Sequence, residues 1–183
     1  MADIGCVTGR FQPFHRGHME LVQIALRTHE YVIVGVTSPV RCRVTERRQS
    51  AHRHLTVSNP YTYYQRALLI SKAVEEIGER RRVLVVPFDL DNVDSVADYC
   101  PFDAVQYVRV FSEWERRKAE ILRSAGFEVS EIQMSEKQVE ASQIRALMRD
   151  GHAAWETLVP PSTVALLREW DCEDRCSSEV FPS

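Results

Sequence analysis

The sequence predicts a doubly wound parallel α/β sheet organised as a single domain. Short β-branched runs alternate with stretches of helical periodicity along most of the chain, the pattern expected of βαβ units. The first such run breaks on a glycine that leads into a helix. A length of 183 residues suits one hydrophobic core, and no internal repeat or low-complexity tract points to another architecture.

Taken in order, Ile4 to Thr8 is a short apolar strand ending at Gly9, and Gly17 to Arg27 places Met19, Val22 and Leu26 on one helical face. Tyr31 to Thr37 is β-branched and buried in character, which completes a βαβ unit with a right-handed crossover. Ser38 to Asn59 lacks a sustained apolar period and reads as a long loop carrying Arg41, Arg43, Arg47, Arg48, His52, Arg53 and His54. A helix follows over Tyr61 to Ile77, a strand over Arg82 to Pro87, a short helix over Asp94 to Tyr99 and a strand over Ala104 to Val110. Ser112 to Ser124 is a charged helix closed by Gly126, and Phe127 to Ile132 is the last strand. Ser142 is expected as the N-cap of a helix running to Asp150 and closed by Gly151, and Thr163 to Trp170 forms the last helix. The domain is therefore expected over residues 1–170, with 171–183 as a flexible tail. A sheet of this class binds its ligand at the carboxyl ends of the strands.

A hydrophobic fraction of 44% with 27% charged residues excludes a disordered, collagen-like or coiled-coil chain. The net charge of −3 combines 20 Arg with 3 Lys. Arg grips phosphate or carboxylate bidentately, so such a chain can hold anionic ligands without the basic balance of a nucleic-acid binder. The five cysteines are odd in number and scattered, which argues against a disulfide framework and for a reducing cytoplasm. Cys172 and Cys176 form a CxxxC pair with no neighbouring His and read as incidental, so no protein-held metal site is expected. There is no leader-like N-terminus and no run near the roughly 18 apolar residues of a membrane span, so a soluble protein with no membrane partner is expected.

The chemistry concentrates in Gly9-Arg10-Phe11-Gln12-Pro13-Phe14-His15-Arg16-Gly17-His18. A strand ends on Gly9, whose missing side chain lets backbone approach a phosphate. A helix then opens near His15 or Gly17, offering free N–H groups and a partial positive charge, with His15 and His18 a turn apart on one face. That combination suits a triphosphate far better than it suits solvated surface.

On these residues the chain resembles the HxGH nucleotidyltransferases, and within them the archaeal-type nicotinamide mononucleotide adenylyltransferases and the related phosphonate cytidylyltransferases. Asn59-Pro60-Tyr61-Thr62 followed by Arg66 is similar to that group's NPFTxxxR, and Ala141-Ser142-Gln143-Ile144-Arg145 to its ISxxxIR. Arg149-Asp150-Gly151 and Leu158-Val159-Pro160 extend the likeness to roughly residues 3 to 170.

The resemblance implies a Rossmann-like fold in which Gly9, Arg10, Phe11, Gln12, His15, Gly17, His18, Ser142 and Arg145 bind the nucleotide. His15, His18, Arg10 and Arg145 would be the catalytic set, acting by in-line positioning and charge neutralisation rather than through a protein nucleophile. Mg2+ would arrive with the nucleoside triphosphate. The acceptor side is expected to involve Thr37, Arg41, Arg43, Arg47, Arg48, Tyr61 and Arg66. Two segments depart from the adenylyltransferase pattern: Asp89 to Ser95 has no Trp, and Tyr107 to Trp114 stands where that group has Thr-Gly-Asn. A longer basic loop at 41–54 is the third departure, and together they favour a small anionic acceptor, with CMP transfer from CTP to a phosphonate such as phosphonoformate in natural-product biosynthesis ranked first. ATP with nicotinamide mononucleotide is the alternative. A non-catalytic nucleotide-binding regulator, the reading from another class, is disfavoured because His15, His18, Arg66 and Arg145 are all intact. The base and the oligomeric state, a homo-oligomer among the options, stay open at this point.

Overall fold

The computed structural model describes residues 3–39, 58–90, 92–133 and 139–170. The expected Arg41, Arg43, Arg47 and Arg48, together with Cys172, Cys176 and the 171–183 tail, lie outside the described residues.

Five parallel strands form one sheet: β1 (Ile4–Gly9), β2 (Tyr31–Thr37), β3 (Val83–Phe88), β4 (Val105–Val110) and β5 (Val129–Gln133), in the order β3-β2-β1-β4-β5. The chain winds outward from β1 to β3, returns to lay β4 against the free side of β1, and continues to β5. Between β1 and β4 the winding reverses, which opens the crevice where such sheets take ligands. Register sets two apolar faces. Val7, Val34, Val36 and Tyr107 pack on one side with the helices α1 (Arg16–Thr28), α2 (Tyr63–Glu76), α4 (Ala141–Arg149) and α5 (Pro161–Glu169), while Cys6, Ile33, Val108 and Val110 pack on the other with α3 (Glu113–Ser124). The free thiols of Cys6 and Cys100 are both buried in that second cluster, and burial pushes the Cys6 thiol well above the ordinary cysteine range.

Local chemistry accounts for most boundaries. α2 opens on a reciprocal capping box in which Gln65 N donates to Thr62 Oγ1 and Thr62 N to Gln65 Oε1, an arrangement that stabilises a helix end by roughly 1 kcal/mol. Ser112 and Glu115 do the same for α3, and Gly126, at a φ of 91°, supplies the left-handed residue that follows it. Pro161 stands at the first turn of α5, where its missing N–H costs nothing.

One expectation needs correction. Ser142 is not the N-cap of α4: the first turn closes on Glu140, whose carbonyl accepts from Ile144 N at 3.1 Å, and the Ser142 hydroxyl bonds the Glu140 carboxylate at 3.0 Å instead. The segment between α4 and α5 also holds an unexpected 3-10 helix, Ala153–Leu158, whose Trp155 is almost wholly buried in the larger core. No helix among the described residues is long and apolar enough to cross a membrane.

Candidate functional site at the carboxyl ends of β1 and β4

A cavity of about 520 Å³ opens where the winding reverses, within the usual size for small-molecule sites. Its floor is formed by Thr8 and Gly9 from β1 and Tyr107 to Arg109 from β4, and α1 points its first turn into it.

One half of the cavity is built by the glycine–histidine segment. Phe11, at a φ of 54° and 1% exposed, tucks its ring under the turn against Phe14 and His18. A side chain at position 9 would run into that ring at 2.8 Å, so Gly9 is required by packing as well as by any phosphate. His15 caps α1 and its ring stacks on His18 with centroids 3.5 Å apart. His15 N donates to His18 Nδ1 at 3.3 Å, so this ring nitrogen acts as an acceptor toward the turn. Arg10 reaches Asn59 Oδ1 at 3.2 Å and faces the same cavity.

Several of the expected site residues also hold the walls together. The Gln12 amide is committed to the Tyr61 backbone through two 3.0 Å bonds, tying the β1 turn to the start of α2. Arg145 donates to Gln12 O at 2.6 Å, which brings α4 to the motif but sets Arg145 and Ser142 outside the cavity lining. Thr37 lines the cavity, whereas Tyr61 and Arg66 are fully buried behind it. Arg66 donates to the carbonyls of Arg10, Thr37, Ser38 and Thr62, so its described contacts are those of a clamp beneath the rim.

The other half of the cavity draws on the Tyr107 to Trp114 segment that departs from the adenylyltransferase pattern, to which the sequence assigns no individual site residue. Arg109, Phe111, Trp114 and Lys118 line it from β4 and α3, facing Glu20 on α1. Trp114 and Lys118 are one helical turn apart just after a strand end, a spacing that would have pointed at the crevice. Lys118 Nζ bonds Thr8 O at 2.7 Å, placing an ammonium at the end of β1. The Arg109 side chain is 11% exposed and lies 2.7 Å from the Glu20 carboxylate.

Among the described residues no group of three or more His, Cys, Asp or Glu could hold a metal ion. Cations and imidazoles together with the aromatic rings of Phe111 and Trp114 suit a molecule with a polyanionic part and a flat part.

The Cytidylyltransferase-like family model matches residues 6–157. Phosphonoformate cytidylyltransferase of Streptomyces viridochromogenes is 31% identical over 177 residues, covering 96% of each chain. A nicotinamide-nucleotide adenylyltransferase of Pyrococcus abyssi is 30% identical, covering 90% of this chain and 82% of the relative. Among solved structures, a bifunctional NMN adenylyltransferase/ADP ribose pyrophosphatase of Francisella tularensis, complexed with AMP and manganese, superposes with a TM-score of 0.65 at 20% identity. That alignment covers 93% of this chain but 50% of the larger protein, and it bears out the fold. With the motif, the crevice and nearly the whole described domain in agreement, the chain belongs to the Cytidylyltransferase-like family and is a nucleotidyltransferase.

Proposed function

We propose that the protein transfers CMP from CTP to a small phosphonate, phosphonoformate foremost, as a step of phosphonate biosynthesis. The observation that carries this reading is the near end-to-end similarity to a phosphonoformate cytidylyltransferase, 96% of both chains. It is supported by the missing Trp in 89–95, where a nicotinamide ring would need a partner.

An oxygen of the acceptor's phosphonate attacks the α-phosphorus of CTP, and the bond to the β-phosphate oxygen breaks to release pyrophosphate. No protein nucleophile takes part. Gly9, Arg10, His15, Gly17 and His18 receive the triphosphate at the first turn of α1, where the positive end of the helix dipole favours anions. Phe11, Gln12 and Arg145 hold that turn in place, and Thr37 meets the acceptor from the end of β2. Arg41, Arg43, Arg47 and Arg48 complete the acceptor side in this reading.

Pyrophosphate release measured with each of the four nucleoside triphosphates, against phosphonoformate, other small phosphonates and nicotinamide mononucleotide, tests the assignment. Turnover with CTP and a phosphonate is expected. Turnover confined to ATP with nicotinamide mononucleotide would replace it with the second reading, which the Pyrococcus abyssi relative supports.

Magnesium is the expected metal in the same reading. Among the described residues the cavity's charged lining is largely cationic, with carboxylates at Glu20 and Glu115, so the ion would ride on the triphosphate and keep several waters. Excess chelator should abolish pyrophosphate release and added magnesium should restore it; full turnover in chelator would refute this.

A further inference from the structure

The Arg109–Glu20 pair is an unusual feature of the cavity wall. Arg109 Nε and Nη2 are buried without a hydrogen-bond partner among the described residues, although Glu20 Oε2 stands 2.7 Å from Nη2. The pair is therefore a charge contact without hydrogen-bond alignment, and two buried donors of one guanidinium are left over. Buried donors are nearly always matched, so an acceptor from elsewhere is the economical account. Glu20 is 52% exposed and is the movable half of the pair. Gly17 lies beside them, where a Cβ would stand 3.6 Å from Arg109 Nη1 and press the His15 ring at 3.2 Å. This is where the half of the cavity built by the glycine–histidine segment meets the half that carries Phe111 and Trp114.

We infer that Arg109 and Glu20 read the base of the nucleotide, and that the base they fit is cytosine. This rests on the CTP reading above and supplies its specificity. Two guanidinium donors beside a carboxylate acceptor repeat the donor–donor–acceptor edge that guanine presents to cytosine. O2 and N3 of cytosine would accept from Arg109, and the N4 amino group would donate to Glu20, while Phe111 and Trp114 offer rings for stacking. Uracil presents N3–H and O4 where cytosine has an acceptor and a donor, and so mismatches two of three positions. Adenine matches through N1 and N6 but leaves one Arg109 donor empty.

The experiment compares kcat/KM for CTP, UTP and ATP in the wild type, Glu20→Gln and Arg109→Met, with inhibition by inorganic tripolyphosphate measured alongside. A glutamine amide can donate to O4, so Glu20→Gln should move the CTP-to-UTP ratio toward UTP by roughly tenfold or more, the scale of one well-placed base contact. Arg109→Met should lower CTP use by a similar factor while leaving tripolyphosphate inhibition unchanged. Glu20 is half-exposed, so its variant should fold even if the Arg109 variant does not. A wild type that uses CTP, with a Glu20→Gln ratio that does not move, overturns this inference alone. Equal losses on all three nucleotides with weakened tripolyphosphate inhibition also overturn it, by making Arg109 a phosphate contact. A wild type that uses ATP and not CTP overturns the CTP reading and this inference together.

Discussion

Replacing His18 with alanine should lower turnover by roughly 10²–10³ while weakening nucleotide binding much less, the cost of removing one preorganised donor aimed at developing charge. The geometry explains why this histidine is singled out. His18 Nδ1 accepts from His15 N, which orients the ring before any ligand arrives. Stacking on His15 and contact with Phe11 and Phe14 restrain the ring further. A donor fixed in this way loses little freedom when the α-phosphate becomes more negative in the transition state, and that is the condition under which electrostatic stabilisation raises kcat rather than merely lowering KM. His18→Asn is the informative companion, because its amide can accept from His15 N and donate outward. It should recover part of the rate lost in the alanine variant. Single-turnover pyrophosphate release, with nucleotide affinity measured separately, checks both. Unchanged turnover in a folded His18→Ala protein would remove His18 from the catalytic set.

The elements were legible because the sheet is parallel and covered on both faces. Strands such as Tyr31–Thr37 are continuous apolar runs, and the helices carry one clear apolar stripe. Boundaries were missed where a neighbour outweighed local preference. Ser142 has the chemistry of an N-cap, but the helix starts earlier and its hydroxyl turns to Glu140. The motif half of the cavity could be read because its residues are contiguous in sequence. The Arg109, Trp114 and Glu20 half could not, since its members come together only through the reversal of winding that sets β4 beside β1. Gln12 and Arg66, both expected at the site, show a related limit, because their described side-chain donors bond backbone carbonyls. Sequence shows that a polar side chain sits near a site, but only the fold shows whether its donors point at the ligand or at the backbone behind it.

Arg66 gives that distinction its largest measurable consequence. Its side chain is completely buried and donates to the carbonyls of Arg10 at 2.9 Å, Thr37 at 2.8 Å, Ser38 at 2.8 Å and Thr62 at 3.3 Å. These carbonyls sit at the end of β2, in the turn after β1 and at the cap of α2, so one guanidinium fixes three segments that meet beneath the cavity rim. Ser38 is held at a φ of 50°, a left-handed conformation that a non-glycine residue keeps only when its surroundings impose it. Arg66→Met fills much of the same volume but leaves those carbonyls without this donor. Loss of a buried network of charge-assisted bonds should destabilise the protein by about 3–5 kcal/mol, which lowers the thermal midpoint of a domain this size by about 6–20 °C. Arg66→Lys should fall between, because a single ammonium cannot span the separate carbonyls that the planar fork reaches. A direct acceptor-binding role would give a different result, a raised Michaelis constant for the acceptor with the midpoint unmoved. Thermal unfolding of the two variants, set beside their acceptor Michaelis constants, separates a clamp from a ligand contact. A midpoint within 2 °C or so of the wild type in both would return Arg66 to the acceptor side, where the sequence first placed it.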